Sequence, residues 1–122
     1  GAKAVAAALE RQRKVQVIKL NHNNIGDDGA EAIAEALKGL RSLQKIGLEE
    51  DVIGDRGAKA IAEALRVNGS VTFLRLNNNQ IGDPGAEAIA EALKVNWTVM
   101  QKQIYLRDNN IGAPTKEALR KV

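Results

Sequence analysis

The chain has 122 residues, a length that fits one domain, and its 18 basic and 15 acidic residues give a net charge of +3. Because basic and acidic residues are nearly equal in number, the charge does not predict nucleic-acid binding. The lack of cysteine excludes disulfides and thiolate metal sites. No apolar run approaches the ~20 residues that span a bilayer, and no signal peptide is visible. We therefore expect a cytoplasmic protein with no nucleic-acid or membrane partner.

A repeated segment organises the chain. Ile25–Leu37 returns almost unchanged at Ile53–Leu65 and at Ile81–Leu93, so the period is 28 residues. The first residues match the tail of an earlier unit, and two extra residues between Val99 and Ile104 displace the last unit. We predict one domain, 1–122, composed of a partial repeat 1–14, repeats 15–42, 43–70 and 71–98, and an irregular last repeat 99–122, in which the strand bulges or its turn enlarges.

The first half of each repeat predicts a short β-strand. The segment Val15-x-x-Ile18-x-Leu20-x-x-Asn23 alternates apolar and polar residues, which is typical of a strand with one buried face. The same frame recurs in the next repeats, where the alternating pairs are Ile46 and Leu48, Leu74 and Leu76, and Ile104 and Leu106. Each pair should point inward, and its neighbours along the strand should point outward.

The second half of each repeat predicts an α-helix. Asp27, Asp55 and Asp83 stand where a helix N-cap belongs. The apolar residues that follow recur at helical spacing, as at Ala30, Ile33, Ala34 and Leu37. A glycine precedes the start of each predicted helix, at Gly26, Gly54, Gly82 and Gly112. We expect these glycines to adopt a backbone conformation that side chains disfavour.

Neither half of a repeat can bury its apolar face alone, so the repeats must stack. Parallel strands stack ~4.8 Å apart, whereas packed helices stay ~8–10 Å apart. The side with the wider spacing becomes the outside of an arc. The prediction is an α/β solenoid of about four repeats, with a parallel β-sheet on the concave face and α-helices on the convex face.

One polar position follows each strand, and it is held by Asn23, Asp51, Asn79 and Asn109. A buried carboxamide there can both donate to and accept from the backbone of the adjoining turns, so we assign these positions a structural role. Asp51 departs from this pattern because a carboxylate has no amide donor. We therefore expect Asp51→Asn to stabilise the protein.

The strand frame and the helix motif I-G-D-x-G-A-x-A-I-A-E-A-L resemble the ribonuclease-inhibitor-like class of leucine-rich repeats, and especially the repeats of NOD-like receptors. Repeats of this class occur in immune sensors, Ran GTPase-activating proteins, nuclease inhibitors and actin-regulating proteins. The resemblance implies a horseshoe-shaped segment that binds proteins, usually inside the cell.

The outward-facing strand positions are the best candidate for a binding surface. They form columns across the predicted sheet, and two of the three aromatic residues fall there beside arginines. Aromatic and arginine side chains are frequent anchors of protein interfaces. The predicted partner-binding residues are Lys19, Lys45, Phe73, Arg75, Tyr105 and Arg107.

Other polar groups have simpler interpretations. His22, the only histidine, falls in one column with Glu50, Asn78 and Asp108, which we interpret as a solvated rim rather than a metal site or proton relay. The two glycosylation sequons, at Asn68 and Asn96, lie 28 residues apart and are explained by repeated turn chemistry. The basic cluster of Arg11, Arg13 and Lys14 is typical of a solvated helix end. We expect no catalytic residue, metal or cofactor.

The sequence therefore predicts a non-enzymatic module that binds a partner protein through its concave strand face. A regulator of the Ran GTPase-activating-protein type and an engineered or purely structural scaffold are the alternatives. We also expect self-association, because uncapped solenoid ends expose strand edges and apolar layers, here at Val5, Ala8, Leu9, Leu119 and Val122.

Overall fold

The computed structural model describes residues 3–4, 16–95 and 103–120. In this part of the chain, strands and helices alternate. The strands are β1 (Val17–Lys19), β2 (Lys45–Gly47), β3 (Phe73–Arg75) and β4 (Gln103–Tyr105). The helices are α1 (Gly26–Leu37), α2 (Asp55–Val67), α3 (Asp83–Val95) and α4 (Ala113–Arg120). None of these helices is long and apolar enough to cross a membrane.

The four strands form one parallel sheet in the order β1-β2-β3-β4. The central residues Ile18, Ile46, Leu74 and Ile104 pair across it. Ile46 and Leu74 are buried, whereas the flanking Lys45 is exposed. The predicted alternation is therefore confirmed, and the strands present one face to the core and the other to solvent.

The helices pack on the inward side of the sheet and bury the aliphatic residues that recur in each repeat. Ala30, Ala58 and Ala86 are fully buried along this stack. Gly57 allows adjacent helices to approach, because a Cβ there would lie 2.9 Å from the Cβ of Ala30 and 2.8 Å from Cγ2 of Ile53. The same crowding recurs at Gly85. Sequence reasoning missed the steric role of this second glycine of the motif.

The prediction that each aspartate at a helix start caps its own helix is wrong. Each of these aspartates caps the helix of the following repeat instead. Asp27 Oδ1 accepts hydrogen bonds from the backbone N–H groups of Gly54 (2.8 Å) and Gly57 (2.9 Å). The N-cap residue of α2 is Gly54, and it makes no side-chain capping bond. Asp55 repeats the arrangement with Gly82 and Gly85. The carboxylates thus join neighbouring repeats while they satisfy helix N–H groups.

The glycines before the helices also differ from expectation. Gly26 is the one glycine with positive φ (69°) in the described part of the chain. Gly54 has φ −102°, a value open to any residue. Its small size matters instead, because a Cβ there would lie 3.3 Å from Oδ2 of Asp27.

The last repeat joins the sheet in regular register, with three consecutive pairs between β3 and β4. The two extra residues therefore precede Gln103, and the predicted bulge does not lie within β4. Several other predicted features lie outside the described residues or side chains, namely the basic cluster Arg11–Lys14, the sequon at Asn96 and the apolar ends at Val5, Ala8, Leu9, Leu119 and Val122.

Candidate protein-binding face

The parallel register aligns the strand positions that flank the core residues in columns across the sheet. One column holds Val17, Lys45, Phe73 and Gln103, and the next holds Lys19, Gly47, Arg75 and Tyr105. A third column, just after the strands, holds Asn21, Glu49, Asn77 and Arg107. Together these twelve positions are called the concave face. Gln103 was not among the predicted column members, because the two-residue insertion hides its alignment with Phe73 in the sequence.

Phe73, Arg75 and Tyr105 form an interlocked group, called the aromatic cluster. The two ring centroids lie 5.3 Å apart with a tilt of 49° between the ring planes. The Arg75 guanidinium carbon lies 5.4 Å from the centroid of Phe73 and 5.6 Å from that of Tyr105. Lys45 Nζ lies 5.8 Å from the Phe73 centroid. The cluster therefore combines aromatic surface with cations held against the ring faces.

Glu49 orients this cluster, and the sequence analysis did not select it as a site residue. Its Oε1 lies 3.2 Å from Arg75 Nε and accepts a hydrogen bond from Asn77 Nδ2 at 3.3 Å. The Arg75 Nε–H is buried and does not point directly at this carboxylate, so the contact is an ion pair without a well-directed hydrogen bond. The carboxylate nevertheless offsets the charge of Arg75 and limits its movement.

Hydrogen bonds from backbone N–H groups to asparagine side chains stiffen the third column. Asn21 Oδ1 accepts from the Glu49 N–H (2.8 Å), and Asn77 Oδ1 accepts from the Arg107 N–H (2.9 Å). The side chain of Arg107 is exposed.

Of the predicted site residues, the structure brings Lys45, Phe73, Arg75 and Tyr105 together. Within the described part of the chain, Lys19 and Arg107 make no side-chain hydrogen bond or ion pair with them.

A depression of ≈ 320 Å³ lies beside the cluster, where Gly47 leaves its column without a side chain. Lys19, Lys45, Asn21 and Arg75 line it together with apolar residues that include Val17 and Phe73. The aromatic cluster and the depression thus lie side by side within the concave face.

Comparison with known proteins agrees with this architecture. A family profile described as "Leucine Rich repeat" matches residues 11–34 and 67–90, two segments whose starts are two 28-residue periods apart. The fold is a leucine-rich-repeat solenoid. Comparison with curated protein sequences gives no match.

Two solved structures share this leucine-rich-repeat fold. One is that of leiomodin-1 actin-binding site 2, with a TM-score of 0.82 and 24% sequence identity over 95% of this chain and 68% of that chain. The other is the tropomodulin C-terminal domain of Caenorhabditis elegans, with a TM-score of 0.77 and 13% identity over 95% of this chain and 74% of that chain. The finer resemblance to NOD-like receptors stays a prediction.

The structural asparagine positions of the leucine-rich repeats differ in how well they are satisfied. Asn79 is buried, and its Oδ1 accepts from the N–H groups of Asp51 (2.9 Å) and Ile53 (3.0 Å). Its Nδ2 donates to the carbonyls of Leu48 (2.9 Å) and Leu76 (3.0 Å). Asn109 Oδ1 accepts from the Ile81 N–H (2.9 Å) of the preceding repeat, and its Nδ2 donates to the carbonyls of Leu76 and Leu106. Asn23 is exposed, and among the described residues its Nδ2 donates to the carbonyl of Asn21.

Asp51 occupies the same position with a carboxylate and is fully buried. Its Oδ1 accepts from the Asn23 N–H at 2.7 Å, but its Oδ2 has no hydrogen-bond partner. Burial raises the pKa of Asp51 above its usual value of 3.8, although backbone N–H groups and His22 act in the opposite direction. The structure therefore places an unpaired buried oxygen, Asp51 Oδ2, where the other repeats have an amide donor.

The column of His22, Glu50, Asn78 and Asp108 has a conformational explanation. All four residues have positive φ, between 53° and 63°. Asparagine and aspartate tolerate this left-handed region better than most residues. His22 Nδ1 and Glu50 Oε2 lie 2.7 Å apart at the exposed rim. Within the described residues, no group of three or more histidine, aspartate or glutamate side chains could hold a metal ion.

The sequon asparagine at the end of α2 is a structural residue. Asn68 is buried, and its Nδ2 donates to the carbonyls of Leu37 (2.7 Å) and Leu40 (3.1 Å) of the preceding repeat. Its Oδ1 accepts from Ser70 N–H (2.7 Å). Because Nδ2 is the atom that a sugar would modify, the folded protein does not present this sequon for glycosylation.

Proposed function

We propose that this leucine-rich-repeat chain is a non-catalytic module that binds a partner protein through its concave face. The observation that carries the proposal is the aromatic cluster. A sheet surface needs only polar residues to stay soluble, yet here two aromatic rings and a guanidinium occupy adjacent columns, and Tyr105 remains 38% exposed. Such a group has the composition of an interface anchor.

The cluster is also held in place before any partner arrives. Phe73 and Tyr105 contact each other and share Arg75, which Glu49 holds from the adjoining column. A side chain that is already ordered loses less conformational entropy on binding, so more of its contact energy contributes to affinity. Preorganisation therefore supports a binding role for these residues.

A binding role is favoured over catalysis because the concave face lacks the parts of a familiar catalytic site. The chain has no cysteine, and its single histidine lies at the rim beside Glu50. We also propose that the protein works in the cytoplasm, where a cysteine-free composition is suitable. The regulator of the Ran GTPase-activating-protein type and the purely structural scaffold remain predictions without a specific contact in their favour.

Actin is the first partner to test, because the similar leiomodin-1 structure is that of an actin-binding site. Purified actin and a phage-displayed library of protein fragments would be offered to the wild-type chain. Binding would then be measured for two double variants: Phe73→Ala with Tyr105→Ala in the concave face, and Lys59→Ala with Glu87→Ala on exposed positions of α2 and α3.

The concave variant should lose about 30-fold or more in affinity, the equivalent of ~2 kcal/mol for a central anchor. The helix variant should bind as tightly as the wild type. Circular dichroism should show that both variants remain folded. If the helix variant loses binding while the concave variant retains it, the concave face is not the interface. If neither actin nor any fragment binds, the scaffold alternative is favoured.

A further inference from the structure

We propose that the depression around Gly47 receives an aspartate or glutamate side chain from an acidic segment of the partner. This inference rests on the proposed concave-face function and names the chemistry of the partner. The concave face is asymmetric: the aromatic cluster fills the side of β3 and β4, whereas the side of β1 and β2 stays open.

Shape is the first argument. Gly47 stands between Lys19 and Arg75 in its column, so one side chain is missing from the row. The resulting space of ≈ 320 Å³ is large enough for a side chain from a partner. The chain cannot easily fill it with a larger residue at position 47, because a Cβ there would lie only 2.9 Å from Oδ1 of Asn21.

Charge is the second argument. The three columns contain four cationic residues, Lys19, Lys45, Arg75 and Arg107, but only one acidic residue, Glu49. Glu49 already faces Arg75. Among the described residues, no carboxylate lies within 4.0 Å of the ammonium group of Lys19 or Lys45. The depression therefore has uncompensated positive charge on two sides, which favours an acidic occupant.

A neutral donor is the third argument. Asn21 lines the depression, and its Oδ1 is occupied by the Glu49 N–H at 2.8 Å. This bond assigns the amide oxygen, and Nδ2 then lies 3.1 Å from where a Gly47 Cβ would be, beside the depression. Nδ2 has no hydrogen-bond partner among the described residues. An amide donor that lines the same depression as two ammonium groups is suited to the oxygens of a carboxylate.

The test uses a phage-displayed library of short, random, unphosphorylated peptides. Peptides would be selected on the wild-type chain, and those that fail to bind the Phe73→Ala, Tyr105→Ala variant would be kept as concave-face ligands. We expect these ligands to be enriched in aspartate and glutamate relative to the library. Their affinity should fall as salt is raised from ~0.15 to ~1 M, because salt screens exposed charges.

The neutralising pair Lys19→Gln with Lys45→Gln should weaken the selected ligands about tenfold or more. Lys59→Gln with Lys116→Gln is the matched control, since it removes the same charge from exposed helix positions, and it should have no more than a twofold effect. Concave-face ligands without acidic enrichment, or equal losses in both variants, would overturn this inference and leave the proposed function intact. If no selected peptide depends on Phe73 and Tyr105, the proposed function itself fails.

Discussion

The turns that follow β2 and β3 lie 28 residues apart and carry the same kind of connection between strand and helix, but their internal bonding differs. After β3, Asn79 accepts two backbone N–H groups and donates to two buried carbonyls. After β2, Asp51 accepts but cannot donate, and its Oδ2 is buried without a partner.

The turn after β2 also carries backbone strain. Val52 has φ 57° and is 44% exposed, whereas Gln80, at the equivalent place after β3, is not among the residues with positive φ. A β-branched residue in this region is an outlier. Asn24 adopts the same conformation in the first repeat, with φ 51°, but its side chain tolerates it.

Stacked repeats can retain a turn whose residues disfavour its backbone conformation and leave a buried oxygen unpaired. The turn at Asp51 is bonded on both sides, by Asn23 in the preceding repeat and by Asn79 in the following one. Contacts with two neighbours can hold a turn whose own residues do not favour it. The cost should therefore appear as lower stability rather than as a different fold, and substitutions in the two turns can test that distinction.

The largest expected effect comes from making the turn after β3 resemble the turn after β2. Asn79→Asp removes the donor to the carbonyls of Leu48 and Leu76 and introduces a carboxylate at a buried position. We expect a loss of about 3 kcal/mol in the free energy of unfolding, measured by chemical denaturation at neutral pH. Asn23→Asp is the control and should cost much less, because Asn23 is exposed. Equal losses would show that burial of the position is not what matters.

The reverse change should stabilise the protein. Asp51→Asn supplies an Nδ2 donor where the unpaired Oδ2 now lies, and it removes a buried charge. By the register of the repeats, the acceptors are the carbonyls of Leu20 and Leu48. We expect a gain of about 2 kcal/mol at neutral pH. An unchanged denaturation midpoint would mean that the carboxylate is already satisfied, for instance by water.

The benefit of Asp51→Asn should depend on pH. Because burial raises the pKa of Asp51, the folded protein retains this proton to a higher pH than the unfolded chain, whose pKa lies near 3.8. The contribution of Asp51 to the stability of the wild type therefore falls as the pH rises from about 3.8 through the folded-state pKa of Asp51. The difference in unfolding free energy between variant and wild type should be smallest below this window and reach a plateau above it. A difference that is constant with pH would contradict the raised pKa.

The smallest expected effect is the relief of backbone strain beside Asp51. Val52→Asn places a residue that tolerates positive φ at an exposed position, so we expect a gain of about 1 kcal/mol. Gln80→Asn is the matched control after β3 and should change stability by less than about 0.5 kcal/mol. If both substitutions have the same effect, the conformation of Val52 is not the source of strain.

The positions of the residues on the concave face could be predicted from the sequence, but the contacts between their side chains could not. The columns of Lys19, Lys45 and Arg75 follow from strand alternation and a constant period, so they could be read from the sequence. The ion pair of Glu49 with Arg75 could not, because it depends on which rotamers neighbouring repeats allow. The one clue was that Glu49 is the only acidic residue among the twelve positions of the concave face.

The sequence alone predicts the period, the strand positions, the apolar helix faces and the missing donor at Asp51, because each is expressed by residue type at a fixed local spacing. Which helix each aspartate caps is set instead by tertiary packing. Asp27 bonds to Gly54 and Gly57, which are 27 and 30 residues away, rather than to its own helix. That choice depends on how one repeat is offset against the next. The offset results from packing across the whole stack, including the close helix approach at Gly57, and local spacing does not encode it.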